Sequence, residues 1–263
     1  MDLGIAGRRA LVGGASSGLG RACAEALAAE GCRLVLWSRG GDSLEAVGTD
    51  LRSRFGVEVA TVGADAADPG AAVHVAEAAV ASLGGIDILV LNAGGPPTTD
   101  PTATDPAGWT RAFQLLATTP IELATLLLPA MRAQRWGRVV AILSSGVRQP
   151  IADLVYSNAG RGALMAWCKT TARAVAGDGV TVNGVLPGRL ATPRVDSLDA
   201  ARAERTGQSV EDVQAGHRAT IPAGRYGRPE ELGAYVAWLA SDRASYQTGT
   251  FAAIDGGLIA GLP

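Results

Sequence analysis

Cysteine and histidine are scarce in this chain of 263 residues. It carries Cys23, Cys32 and Cys168 with no CxxC spacing, and its two histidines, His74 and His217, lie far apart. A zinc centre is therefore not expected, and the reading is no metal site. Cys23 and Cys168 fall on apolar helix faces, where a buried thiol behaves as a small hydrophobe. No motif supports a Cys–His nucleophile pair. An excess of one charge is lacking too: 23 Lys and Arg stand against 25 Asp and Glu, interspersed, for a net charge of −2. Without a basic run, neither nucleic acid nor an anionic membrane is expected as a partner. Long apolar runs are missing as well. Nothing reaches the ~18 uninterrupted apolar residues of a membrane span, and Met1-Asp2-Leu3-Gly4 has no basic lead, so a soluble, cytoplasmic protein is expected.

What is plentiful is apolar and glycine content: 48% hydrophobic residues and 35 Gly. That suffices for a substantial core, and one domain over 1–263 is the simplest count. Short β-rich runs alternate with longer helical patterns. After a first strand at Arg9-Ala10-Leu11, strands are expected at Leu34–Trp37, Val57–Val62, Ile86–Leu91, Arg138–Leu143, Val180–Val185 and Phe251–Ile254, seven in all. Between them lie stretches such as Ala71–Leu83, with Val73, Ala76, Val80 and Leu83 at helical spacing. Near-continuous apolar strands indicate a parallel sheet covered on both faces, hence a doubly wound α/β Rossmann fold.

Residues 12–20 read Val-Gly-Gly-Ala-Ser-Ser-Gly-Leu-Gly between the first strand and the helical pattern from Arg21. Gly14, Gly18 and Gly20 lack Cβ, so the turn can be tight and the backbone can approach a pyrophosphate at a helix N-terminus. A dinucleotide site is the implication, although three glycines alone also fit an ordinary βα turn. In such folds ligands bind beyond the carboxyl ends of the strands. Those ends carry Ser38-Arg39, Asp65, Asn92-Ala93-Gly94, Ser144-Ser145 and Pro187-Gly188. The segment 189–227 is the longest without a strand, with a helix expected over Ser197–Arg205 ending at Gly207. It reads as a substrate lid, with a passive surface insertion as the alternative.

With these segments in place the chain resembles the short-chain dehydrogenase/reductase family over essentially its whole length. Gly14-Ala15-Ser16-Ser17-Gly18-Leu19-Gly20 looks like the family's glycine loop, Asn92-Ala93-Gly94 like its fourth-strand motif, Asn183 with Pro187-Gly188 like its sixth-strand motif, and Asp255-Gly256-Gly257 like its C-terminal signature. Its 3-oxoacyl-carrier-protein-reductase-like group is the nearest comparison. The resemblance implies adenine contacts at Asp65 and Ala66, a carboxamide-side contact at Thr192, and a homotetramer or homodimer built on the long helices after strands four and five.

The family's catalytic Asn, Ser and Tyr-x-x-x-Lys are largely altered. Counting back from Asn183 without a gap, Arg161-Gly162-Ala163-Leu164 occupies the place of Lys-x-Ala-Leu, which puts Arg161 at the lysine and Ser157 at the tyrosine. A second frame, with one gap, takes Tyr156 as the tyrosine and leaves Gly160 at the lysine. Ser144 keeps the family serine's place, with Ser145 beside it, and Leu116 stands at the structural Asn. A serine hydroxyl is a far weaker acid than a phenol, so proton transfer worth roughly 10²–10⁴-fold is in question. Arg161 keeps the positive charge and can bind the cofactor by hydrogen-bonding its ribose hydroxyls, or, with Ser144, stabilise a developing alkoxide. Tyr156 remains an alternative acid if the helix start is irregular; Asn158 reads as a cap or surface residue.

For the cofactor, Ser38 and Arg39 offer a hydroxyl and a cation where a carboxylate would repel a 2′-phosphate, so NADP(H) is favoured over NAD(H). The leading expectation is an NADP(H)-dependent oxidoreductase acting on a small carbonyl or alcohol through an atypical site. A nucleotide-binding protein without turnover and a non-redox lyase or isomerase are the alternatives.

Overall fold

The computed structural model describes residues 1–261. Its strands are β1 (Arg9–Gly13), β2 (Arg33–Ser38), β3 (Val59–Gly63), β4 (Ile88–Leu91), β5 (Gly137–Ile142), β6 (Val180–Pro187) and β7 (Phe251–Ile254). They form one seven-stranded parallel sheet in the order β3-β2-β1-β4-β5-β6-β7, the expected doubly wound architecture. Each expected strand is present. β4 starts two residues later than expected because Asp87 turns aside, accepting hydrogen bonds from the Arg9 backbone and guanidinium at 2.9 Å.

The helices are α1 (Gly18–Ala29), α2 (Gly41–Phe55), α3 (Ala71–Leu83), α4 (Pro106–Phe113), α5 (Thr119–Ala133), α6 (Val155–Val175), α7 (Pro193–Thr206), α8 (Val210–Thr220) and α9 (Pro229–Leu239). Alternating strand residues feed two cores. Leu11, Leu89 and Val139 pack with Val75, Leu123 and Cys168 under α3, α5 and α6; Ala10, Leu34 and Ile88 pack with Cys23, Leu44 and Val236 under α1, α2 and α9. Burial pushes the Cys23 and Cys168 thiols up to about 12, which keeps them unionised and inert. Residues 106–133 are long and apolar enough by composition to cross a membrane, but half of their most apolar stretch is buried, and α5 packs on α3 and α6.

Connections to the right and left of β1 leave in opposite directions, so β1 and β4 flank the topological switch point where a crevice opens. The segment after β6 is a closed excursion. Ala191 N donates to Gly227 O at 2.8 Å and Gly227 N to Arg189 O at 2.9 Å, pinning its two ends together. α7 starts earlier than Ser197 because Thr192 caps it, accepting from Val195 N, with Pro193 in the first turn; it ends at Gly207, whose φ of 68° only glycine adopts freely. α8 was not anticipated. Ser209 caps it, but Val213 is its one buried residue, too little for a periodic signal.

Candidate active site

A cavity of about 990 Å³ follows the carboxyl ends of the strands across the switch point. At its centre is the glycine turn. Gly14 and Gly18 have φ of 57° and 54°, conformations costly for any residue with a Cβ. A Cβ on Gly20 would collide with the carbonyl oxygens of Gly13 and Gly14, so Gly20 lets α1 approach β1 rather than lining the cavity. Asn92 Nδ2 donates to Gly13 O at 3.0 Å and ties the turn to β4. Ser17 makes no capping hydrogen bond and the first turn of α1 holds no acidic residue, which leaves the helix amides open to an anion. The donor set thus fits a diphosphate.

One end of the cavity is built by Ser38, Arg39, Asp65, Ala66, Asn92, Ala93 and Gly94. Ser38 Oγ is buried with no hydrogen-bond partner, and Arg39 forms no ion pair among the described residues. An unpartnered buried hydroxyl beside an unpaired guanidinium fits a phosphate oxygen. Asp65 is occupied locally, accepting from Ala67 N at 3.0 Å and lying 3.5 Å from Arg111 Nη2.

The other end lies along the strand end of β5 and the start of α6. Ser144, Ser145, Ser157 and Arg161 all line it, together with Pro187, Gly188 and Thr192. Arg161 donates to Ile142 O at 2.7 Å and to Ala93 O at 3.3 Å, so the strand ends of β4 and β5 fix its guanidinium without neutralising it. Burial, with a further contribution from the nearby Arg194 cation, pushes its pKa down to about 10. It still carries its proton at neutral pH. Ser144 Oγ accepts from Gly146 N at 3.0 Å, which leaves its own proton free to donate. Lys169, the chain's single lysine, lies two turns beyond Arg161 and donates to Gly249 O at 2.7 Å, away from the cavity.

Tyr156 does not line the cavity. Its hydroxyl accepts from Asp105 N at 3.1 Å and its ring meets Trp109 edge-on at 4.7 Å, at the start of α4. Tyr156 is the second residue of α6, and about 100° of rotation separates it from Ser157. Gly160 likewise faces away, against Leu116, which is 2% exposed within a π turn over Gln114–Thr118. Asn158 is structural, donating to Ile151 O at 2.8 Å.

Residues that sequence reasoning missed come from the excursion and its neighbours: Arg194, Leu198 and Arg202 on one face of α7, and Gln149, Asp153 and Ile259 opposite. The i, i+4, i+8 spacing of the α7 set was a readable signal once the helix was extended to Pro193. Behind that face, Asp199 is fully buried. It receives Arg189 at 2.8 Å, Tyr226 OH at 2.8 Å and His217 Nδ1 at 3.0 Å, a cluster that fixes the roll of α7. Burial and the neighbouring Arg189 hold the His217 pKa below its ordinary value against the pull of Asp199, and burial with the Asp199 carboxylate pushes the Tyr226 phenol up to about 12.

Comparison with known proteins agrees with this geometry. Residues 14–259 match the family described as enoyl-(acyl carrier protein) reductase. D-beta-hydroxybutyrate dehydrogenase of Cupriavidus necator is 32% identical over 258 residues, covering 97% of this chain and 98% of its own. The 3-oxoacyl-[acyl-carrier-protein] reductase FabG of Escherichia coli is 32% identical over 252 residues, 96% and 97% of the two chains. Among solved structures, L-sorbose reductase of Gluconobacter frateurii, complexed with NADPH and L-sorbose, superposes with a TM-score of 0.95 at 33% identity over 100% of both chains. YwfH, an NADPH-dependent reductase of bacilysin biosynthesis, gives 0.93 at 26% identity over 98% of this chain and 100% of its own. The chain belongs to the short-chain dehydrogenase/reductase family.

Proposed function

We propose that the protein is a cytoplasmic NADP(H)-dependent oxidoreductase that transfers hydride to or from a small carbonyl or alcohol. The observation that carries this reading is one cavity holding both an uncapped glycine turn and the fixed, unneutralised guanidinium of Arg161. A relative complexed with NADPH and another that is an NADPH-dependent reductase support the cofactor. The turn from Gly14 to Leu19 would hold the diphosphate, Ser38 and Arg39 the 2′-phosphate, Asp65 and Ala66 with Asn92-Ala93-Gly94 the adenosine side, and Pro187, Gly188 and Thr192 the nicotinamide side. When bound, the reduced nicotinamide supplies a hydride.

The chain's own residues handle the oxygen. Arg161 and Ser144 donate hydrogen bonds to the reacting oxygen, and the guanidinium stabilises negative charge as it develops there. Ser157 adds a polar contact but is too weak an acid to replace a phenol. The proton reaches the oxygen from solvent, since no Tyr, His, Lys or Glu lines the cavity among the described residues and Asp153, the acid at this end, is paired with Arg205. Turnover of ordinary ketones is therefore slow. The segment 189–227 acts as the lid, and the exposed Phe113 and Leu126 on α4 and α5 support a homodimer or homotetramer. Nucleotide binding without redox turnover is the second reading, favoured by the same missing phenol. A diverse carbonyl panel followed at 340 nm separates the two: slow NADPH oxidation with some member supports the enzyme, and none with any member refutes it.

A further inference from the structure

Three guanidiniums line the substrate end of the cavity without a carboxylate partner. Arg161 is held only by carbonyl oxygens, Arg194 Nη2 donates only to Pro96 O at 2.5 Å, and Arg202 forms no ion pair among the described residues. The nearby acid is already committed, since Asp153 pairs with Arg205 at 2.8 Å. Arg189, the remaining cation at this end, is neutralised by Asp199. Like charges brought together in a cleft repel, and Arg194 depresses the Arg161 pKa for that reason. Such an arrangement is relieved by an anion placed between them.

Cofactor phosphate does not account for it. The diphosphate turn meets the excursion at Thr192, whose methyl lies 3.4 Å from where a Gly18 Cβ would be. Arg194 leaves the diphosphate turn and reaches across the crevice to Gly95 and Pro96, next to Gly94. Arg202 lies two helical turns farther out on the same face, about 12 Å along the axis. Leu154, Leu198 and Ile259 line the space between. Resting on the hydride-transfer reading above, we infer that the substrate is an oxo acid or its hydroxy counterpart: a carbonyl compound with an apolar body and an anionic group that Arg194 and Arg202 bind. The Asp199 cluster, by fixing the roll of α7, keeps both side chains on the face that lines the cavity. Carboxylate and phosphate share the required chemistry.

The test is equilibrium binding to the NADP⁺-loaded protein by calorimetry. Matched pairs would be levulinate against levulinamide, phenylpyruvate against its amide, and dihydroxyacetone phosphate against dihydroxyacetone, the last pair distinguishing phosphate from carboxylate. At least one anion should bind ~10-fold or more tightly than its neutral partner, the scale of one charge-assisted hydrogen bond. Arg194→Ala with Arg202→Ala should erase that preference, Arg194→Lys should retain part of it, and NADP⁺ affinity should stay the same in all variants. Equal binding within every pair, or no binding by any member, overturns the inference and leaves the cofactor reading standing. A double variant that loses NADP⁺ affinity to the same extent also overturns it, by making Arg194 a cofactor contact. Failure of the native protein to bind NADP⁺ overturns both.

Discussion

Replacing Asp199 by Ala should loosen the excursion while leaving the sheet intact. The carboxylate is fully buried and takes hydrogen bonds from Arg189, His217 and Tyr226 at 2.8, 3.0 and 2.8 Å. Removing one partner of a buried ion pair costs about 3–5 kcal/mol, and because the Arg189 side chain is 25% exposed, water recovers part of its charge. A net loss of about 2–3 kcal/mol is expected, confined to 189–227 because that segment closes on itself through Leu190 and Gly227. Asp199→Asn, which keeps hydrogen-bonding atoms but drops the charge, should lose less. Hydrogen exchange read by mass spectrometry should show faster exchange in α7 and α8, by about 30- to 150-fold for the Ala variant, with β1, β4 and β5 unchanged. Unchanged exchange in α7 would refute the claim that the cluster fixes this helix. Uniform acceleration across the sheet would refute its confinement.

Arg39→Ala should weaken NADPH by ~1.5–3 kcal/mol, the value of a charged hydrogen bond, and leave NADH nearly unaffected in fluorescence titrations; equal losses would refute the 2′-phosphate assignment. Ser157→Tyr with Arg161→Lys places a phenol and an ammonium one turn apart on the cavity face of α6, and NADPH oxidation should rise ~10-fold or more, with each single change helping less. The gain stays limited because Leu116 supplies no amide. For pH, His217 is held neutral: its Nδ1–H serves Asp199 while Nε2 accepts from Arg189 at 2.9 Å. A histidine with a depressed folded pKa contributes fully above its unfolded value of ~6.5 and loses that contribution as pH falls through the folded pKa. Thermal midpoints of the native protein should therefore fall more steeply below ~6.5 than those of His217→Gln, and parallel profiles would refute the neutral assignment.

The sheet was legible because parallel strands buried on both faces read as unbroken Val, Leu and Ile runs, and each run became a strand. Boundaries shifted where tertiary contacts intervened, as when the Arg9–Asp87 pair delayed β4. The cofactor end was legible for a similar reason: Gly14, Gly18 and Asn92 hold positions that backbone geometry demands. The substrate end was not. Arg194 and Arg202 read as two charges in a polar stretch, and that they line one cavity with Arg161 follows only from the fold, which brings α7 to the crevice. The Asp199 cluster was equally invisible, since its four members are spread from 189 to 226. At Tyr156 the residue type left an alternative acid open, and one step around the helix directs the phenol to Asp105.

The most direct measurement is steady-state NADPH oxidation by the native protein, Arg161→Met and Tyr156→Phe, each checked for fold by thermal midpoint and for NADPH binding by titration. If Arg161 stabilises the reacting oxygen, Arg161→Met should lose about 10²–10³-fold in kcat, as removal of an oxyanion donor does, while Tyr156→Phe keeps its rate within a few-fold and loses only about 1 kcal/mol of stability. A Tyr156→Phe loss of 10²-fold or more beside a nearly unaffected Arg161→Met would contradict the account.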